Sequence, residues 1–414
     1  MTPAMRADNP KHPPPWLFGL TAVPYGVSGG FVAGTMPFLA RKAGISVGDI
    51  GWYGAALLVP PIVQFLYAPV VDIGPKRKHW LIIVAALGAL CLAIALTMPL
   101  PSKIGPFLGF AFAGQLISGL VGTCNGGLLA STLPDRLRGA AAGWLNLGNL
   151  VGAALGAWLT MATSAWLPPW AVGIEVAILM IAPSFAVLIV DEPDRVGRRR
   201  AKDVFVTLWR DVARVARSRQ GWTGILFCMS PVGTAALLNY ATAFAGDYHA
   251  SVGMVAFVNG PVNGLVTAAG ALVGGYVCDR TNRRAMYLLS GALTALVGLT
   301  MLALPMTPTT YAIGVSVYLL VAGFCYASFS AVVLETIGRA GAAAGTQYAL
   351  FVSAGNAAIM YVGWIDTRFH EHHGARGLFG VDAGLNVLGI VALSVLFTVF
   401  GAWKQQRSEE REAA

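Results

Sequence analysis

The chain has 414 residues, 56% hydrophobic and only 11% charged, with a formal net charge of +9. Soluble domains carry about a quarter charged residues, so this composition excludes a water-facing globular protein. The positive balance collects in the segments between apolar runs, which marks membrane topology and not nucleic-acid binding.

Residues 1–15 lack the apolar stretch and small-residue cleavage site of a removable signal peptide, so they are expected to be a tail, with the first helix as an uncleaved signal. Runs of about 20 apolar residues follow, each long enough to cross a hydrocarbon core of about 30 Å. The first six lie near 16–39, 50–71, 80–99, 106–131, 140–161 and 169–190, an expected N-terminal bundle over 16–190. Residues 191–220 form a basic linker containing Arg195, Arg198, Arg199, Arg200, Arg210, Arg214 and Arg217, suited to an anchor on anionic lipid. Six further runs near 221–245, 252–277, 285–305, 310–333, 342–366 and 380–403 make a C-terminal bundle over 221–403, followed by a tail at 404–414.

Nothing alternates with period two, which argues against a β-barrel. The expected fold is an all-α membrane protein with twelve transmembrane helices in two six-helix bundles related by pseudo-two-fold symmetry. The expected inner segments hold 23 lysines and arginines and the outer loops 5, which places both termini in the cytoplasm. Cys91, Cys124, Cys228, Cys278 and Cys325 fall inside spans without metal or disulfide spacing, and read as packing residues.

Two segments are written twice. Tyr67-Ala-Pro-Val-Val-Asp72-Ile-Gly-Pro-Lys76-Arg77 returns as Tyr276-Val-Cys-Asp279-Arg280-Thr-Asn-Arg283-Arg284, and Gly139-Ala-Ala-Ala-Gly143 returns as Gly341-Ala-Ala-Ala-Gly345. Their order points to duplication of a six-span unit. An Asp at the inner end of one helix with cations opening the next suits an inner gate, so Asp72, Lys76, Arg77, Asp279, Arg280, Arg283 and Arg284 are expected to latch it.

Neutral polar residues at membrane depth are costly against lipid and should face a neighbouring helix or a wet cavity. Taken as a set, Gln64, Gln115, Asn125, Asn146, Asn149, Asn239, Asn259, Asn263, Gln347 and Asn356, with Tyr25, suit a substrate cavity. Glu175 is the acid expected clearly inside a span and a candidate proton site, with Asp247 and His249 as a second. The glycines 148, 152 and 156 of span five and 260, 264, 270 and 274 of span eight form small-residue seams suited to sliding between the halves or to static packing. His370-Glu371-His372-His373 has no metal-ligand spacing and reads as a solvated loop, so no metal and no cofactor are expected.

The second Asp-basic copy, Gly274 to Arg284, resembles the inner-loop motif of the major facilitator superfamily. The stretch from Pro24-Tyr25 through Gly44-Ile45-Ser-Val-Gly-Asp49 to Tyr67-Ala-Pro-Val-Val-Asp72 resembles its peptide/acetyl-CoA transporter branch, which includes AmpG-like muropeptide permeases and siderophore-uptake permeases. The resemblance implies a proton-linked permease of the bacterial inner membrane for a muropeptide, siderophore or acyl-CoA-like solute, with a monomer expected. Alternatives are drug or metabolite efflux, or a membrane-embedded lipid-modifying enzyme; the clustered His, Asp or Ser of the latter, a phosphate loop and a nucleophile elbow are all missing from the sequence.

Overall fold

A computed structural model describes residues 12–193, 201–278, 280–337 and 344–412. Asp279, the Arg195–Arg200 run and the start of the second alanine echo lie outside the described residues, as does the side chain of Gln347.

Among the described residues every regular element is helical. Ten helices are long and apolar enough to cross a membrane: Leu17–Lys42, Val47–Asp72, Arg77–Leu96, Ile104–Leu129, Gly143–Thr163, Pro169–Ile189, Val252–Cys278, Arg283–Ala303, Pro308–Val333 and Ala349–Leu396. The first six match spans one to six, and the next three match spans eight to ten. The last is interrupted at Gly374 (φ 60°, ψ −158°) and divides into spans eleven and twelve.

Span seven is where the expectation of a continuous helix over 221–245 fails. Helix Arg219–Cys228 stops, the chain unwinds, and short turns resume from Ala236 to Tyr248. Ser230-Pro231 removes a backbone donor, and Gly233 and Ala235 adopt left-handed φ of 58° and 52°. Before it, the amphipathic helix Ala201–Arg217 carries Arg210, Arg214 and Arg217 along one side.

Helix starts have local causes. The hydroxyls of Ser46, Ser218 and Ser251 and the amide oxygen of Asn282 accept backbone N–H groups that the first turn leaves free. Within the N-terminal half span one packs along span five, and span three on spans four and six; in the other half span eight packs on ten and span nine on ten and twelve.

The glycine seams divide between the two readings. A Cβ on Gly148, Gly152 or Gly156 would meet Gly19, Val23 or Val27, so this face is buried against span one of its own half and does not slide across the halves. Gly270 and Gly274 likewise press on Leu320 and Phe324 of span ten. Gly260 meets Trp158 and Gly264 meets Ala154, so only this end of span eight crosses to the other half.

A third stripe, Gly48, Gly51 and Gly54 on span two, makes a close approach between the halves. A Cβ at these positions would overlap Glu371, Thr367 and Tyr240 respectively. Hydrogen bonds reinforce this seam: Ser46 Oγ to Glu371 Oε1 at 3.1 Å, Tyr240 OH to the Gly51 carbonyl at 3.4 Å, and Thr242 Oγ1 to the Gly34 carbonyl at 3.2 Å. Trp52 and Trp364 meet edge-on, 5.8 Å between ring centres. All of these lie at the end of the bundle away from the chain termini, here the distal end, where the halves are closed on each other.

Candidate functional site

The unwound part of span seven is held by side chains. Tyr361 OH donates to the Met229 carbonyl and Tyr287 OH to the Val232 carbonyl, each at 2.7 Å, and the Gly233 N–H donates to Asn386 Oδ1 at 2.8 Å. Ser230 and Thr234 hydroxyls accept the N–H groups of Val232 and Ala236. Irregular backbone at membrane depth is tolerated only where protein or a water-filled cavity satisfies it. Here it borders a cavity of about 210 Å³ lined by Ser230, Thr234, Tyr287, Tyr326, Phe329 and Asn356, among others. The lining joins neutral hydrogen-bonding groups to aromatic faces. Asn356 is the one expected cavity residue on this wall; the break itself was signalled by Ser230-Pro231-Val-Gly233.

Several other expected cavity residues are bound between helices instead. Thr21 Oγ1 donates to Asn125 Oδ1 at 2.6 Å, and Asn125 Nδ2 donates to the Thr21 carbonyl at 2.9 Å. Gln115 is bonded by Ser28, again joining spans one and four. Gln64 Nε2 donates to the Gly119 carbonyl at 2.7 Å, and Asn259 Nδ2 to Tyr311 OH at 2.8 Å. Gln115, Asn125 and Asn259 are buried, which makes these three residues cross-links between helices, while Gln64 is half-buried. Asn263 bonds within its own helix, to the Asn259 carbonyl and Thr267. Tyr25, Asn149 and Asn239 are half-buried, and Asn146 is exposed.

At the opposite end from the distal seam, Asp72 Oδ1 receives Arg77 Nε at 3.0 Å and Nη2 at 2.5 Å, and Arg77 Nη1 donates to the Gly127 carbonyl of span four. Glu192, after span six, accepts the backbone N–H groups of Arg77 and Lys78 and caps span three, while Lys76 Nζ donates to the Glu192 carbonyl at 3.2 Å. These bonds tie spans two, three, four and six of one half. In the other copy Arg280 lies over the Tyr276 ring, 3.6 Å from its centre, and Arg283 and Arg284 open span nine behind the Asn282 cap.

Acidic residues give the largest departures. Glu175 is half-buried, and its Oε1 has no hydrogen-bond partner among the described residues. Asp247 does not pair with His249, which is exposed at the end of a turn with φ 55°. Its partner is His370, whose Nε2 lies 2.6 Å from Asp247 Oδ2. That imidazole is 8% exposed, so the stretch 370–373 is not a loop but the helical end of span eleven, with His370 buried and Glu371, His372 and His373 exposed as expected. Burial opposes the charge on Asp247, but the hydrogen bond and charge of His370, the Ala375 N–H and the Arg41 charge outweigh it and hold the carboxyl below its usual range.

Two further acids are fully buried within helices, Asp366 in span eleven and Asp382 in span twelve, both 0% exposed. Each lies eight residues from Gly374. In a straight helix they would stand about 24 Å apart. Instead the chain reverses at Gly374 and each lies in the other's electrostatic field. The expected span ends at 366 and 380 placed both at an interface, which is why they were missed. No group of three or more His, Cys, Asp or Glu suited to a metal occurs among the described residues.

The sequence matches no curated protein closely enough to serve as a relative. In fold it is similar to a D-xylose–proton symporter (TM-score 0.71, 14% identity, covering 91% of this chain and 95% of that one). It is also similar to the nucleoside transporter NupG (TM-score 0.66, 14% identity, 92% and 98%) and to a peptide transporter POT bound to sulfate (TM-score 0.64, 15% identity, 92% and 94%). The family model of the Major Facilitator Superfamily matches residues 18–363, from span one into span eleven. The chain belongs to the major facilitator superfamily, and is a multi-pass membrane transporter.

Proposed function

We propose that this transporter moves a polar organic solute by alternating access, driven by a proton gradient. The observation that carries the reading is the unwound 229–235 stretch of span seven beside the cavity of Asn356 and Tyr326. Broken helices of this kind mark binding sites near the midplane of secondary transporters. The wall favours a ligand with neutral hydrogen-bonding groups and an apolar or ring face. The fold relatives carry a sugar, nucleosides and peptides, all of this chemical type, and the first is a proton symporter.

The first 80 or so residues, with Tyr67 to Asp72, favour the peptide/acetyl-CoA branch and hence a muropeptide, siderophore or acyl-CoA-like solute. The lysine and arginine asymmetry favours a bacterial inner membrane with both termini cytoplasmic, which puts the distal seam outside. Asp72, Lys76 and Arg77, with Asp279, Arg280, Arg283 and Arg284, are the proposed inner gate. Glu175 and the Asp366–Asp382 pair are the acids at membrane depth that offer a proton site.

The test is uptake into proteoliposomes of a muropeptide, a siderophore and an acyl-CoA, with and without an imposed proton gradient. Gradient-dependent flux of one of them is expected; no such flux for any would overturn the reading.

A further inference from the structure

Asp366 and Asp382 occupy matching places on the two arms of the Gly374 reversal, each about 12 Å along its helix from the turn. Tyr318 OH of span ten donates to Asp382 Oδ2 at 2.8 Å, and Asn386, one turn on, donates from Nδ2 to the Asp382 carbonyl at 3.0 Å. The other three carboxyl oxygens, both of Asp366 and Oδ1 of Asp382, are buried without a hydrogen-bond partner among the described residues. The groups facing the pair are Tyr318 from span ten and Tyr240 from span seven, whose hydroxyls lie in the field of Asp366. Beside the pair, Gly51 of span two packs on Thr367 and Gly298 of span nine on Phe379 and Ala383, and neither is titratable. His370 lies one turn toward the distal end and is already held by Asp247. No basic side chain faces the two carboxyls among the described residues.

Two buried carboxylates without a cation are strongly unfavourable, and an ionisable group at membrane depth is a functional site by default. A proton neutralises such a pair at one oxygen and needs no coordination shell. The pair also adjoins the seam between the halves. Thr367, next to Asp366, fills the space over Gly51, and Tyr240 reaches across to the Gly51 carbonyl while packing on Gly54 and Gly363.

We propose that Asp366 and Asp382 together form the coupling-proton site, and that their protonation holds the distal seam closed. With the proton bound the pair stays dry and the Thr367–Gly51 and Tyr240–Gly51 contacts persist. When it leaves, the paired negative charge draws water into the seam and the halves part. The proposal rests on the proton-driven reading above and assigns its site.

The test needs no solute. Lys42→Cys and Arg376→Cys place spin labels on exposed positions of opposite halves at the distal end. In liposomes the label distance is expected to be short at acid pH and longer at alkaline pH. The Asp366→Asn/Asp382→Asn variant, isosteric and neutral, should lose this response and stay closed. Tyr318→Phe keeps the ring, removes the hydroxyl donor to Asp382, and should displace the midpoint by about one pH unit. A monodisperse elution profile verifies folding of each variant.

A double variant with the native pH response, an unmoved midpoint in Tyr318→Phe, or a seam that answers to sodium and not to pH would each overturn the proposal. So would loss of the response in Glu175→Gln with its retention in the double variant, which would move the site to Glu175. Gradient-driven uptake alongside a pH-insensitive seam sinks this site and leaves the transport reading standing. Uptake that ignores the gradient, alongside a pH-sensitive seam lost in the double variant, does the reverse.

Discussion

His370 Nε2 and Asp247 Oδ2 stand 2.6 Å apart, joining the distal end of span seven to the end of span eleven. The same oxygen accepts the Ala375 N–H at 3.0 Å, so one carboxylate both holds the imidazole and caps span twelve. Asp247→Ala removes both bonds and is expected to cost about 1–2 kcal/mol, seen as a lower melting temperature in detergent. The carboxyl sits below its ordinary range, so its contribution is complete above the unfolded value and is lost as pH falls through the folded one. The melting difference between native and Asp247→Ala proteins should therefore be constant above about pH 4 and close below it.

The two glycine faces on spans two and five should respond differently to added bulk. Gly148→Ala places a methyl against the Gly19 carbonyl inside one half and is expected to lower stability by about 1–3 kcal/mol. Gly51→Val meets Thr367 across the halves, which separate as rigid bodies on the alternating-access reading proposed above. Its expected effect is a wider distal label distance and slowed transport with little change in melting temperature. Equal loss of stability in both variants would place the span-two contact inside a static core.

At the other end, Asp72→Asn leaves Arg77 with weaker partners. The side chains of this ion pair are 24% and 31% exposed, so about 1 kcal/mol is expected and not the value of a buried pair. As an inner gate, the latch should also alter the spacing of labels on the terminal ends of the two halves. Unchanged spacing with a lowered melting temperature would make it a brace within its own half.

Asn356→Ala and Tyr326→Ala remove cavity-wall groups without touching either seam. Each should weaken solute binding, by up to about tenfold for one lost hydrogen bond at Asn356. Equilibrium binding to purified protein measures this; unchanged affinity in both would move the solute elsewhere.

Apolar runs and loop charges were enough to read the architecture, because crossing a membrane demands length and hydropathy that few other constraints produce. The polar residues inside those runs were equally visible, but their partners were not. Gln115 and Asn356 look alike in sequence, and only helix rotation turns one toward Ser28 and the other toward the cavity. Asp366 and Asp382 were hidden by a boundary problem. Two helices joined through a single glycine leave no loop between the apolar runs, so acids buried eight residues deep read as residues at the span ends. The distal seam was concealed for a related reason: Gly48, Gly51 and Gly54 repeat every three residues on one span, while what they meet lies more than 180 residues away.

The one-residue turn at Gly374 also has a consequence for how the protein enters its bilayer. With no linker to pause in, spans eleven and twelve are expected to leave the insertion machinery as a hairpin. Asp366 and Asp382 then enter hydrocarbon side by side, and neither has to meet lipid alone. Lengthening that turn with a flexible insert would uncouple the two arms and leave each to insert with an acid of its own. The same glycine that aligns the acids in the finished protein would thus shelter them during its biogenesis.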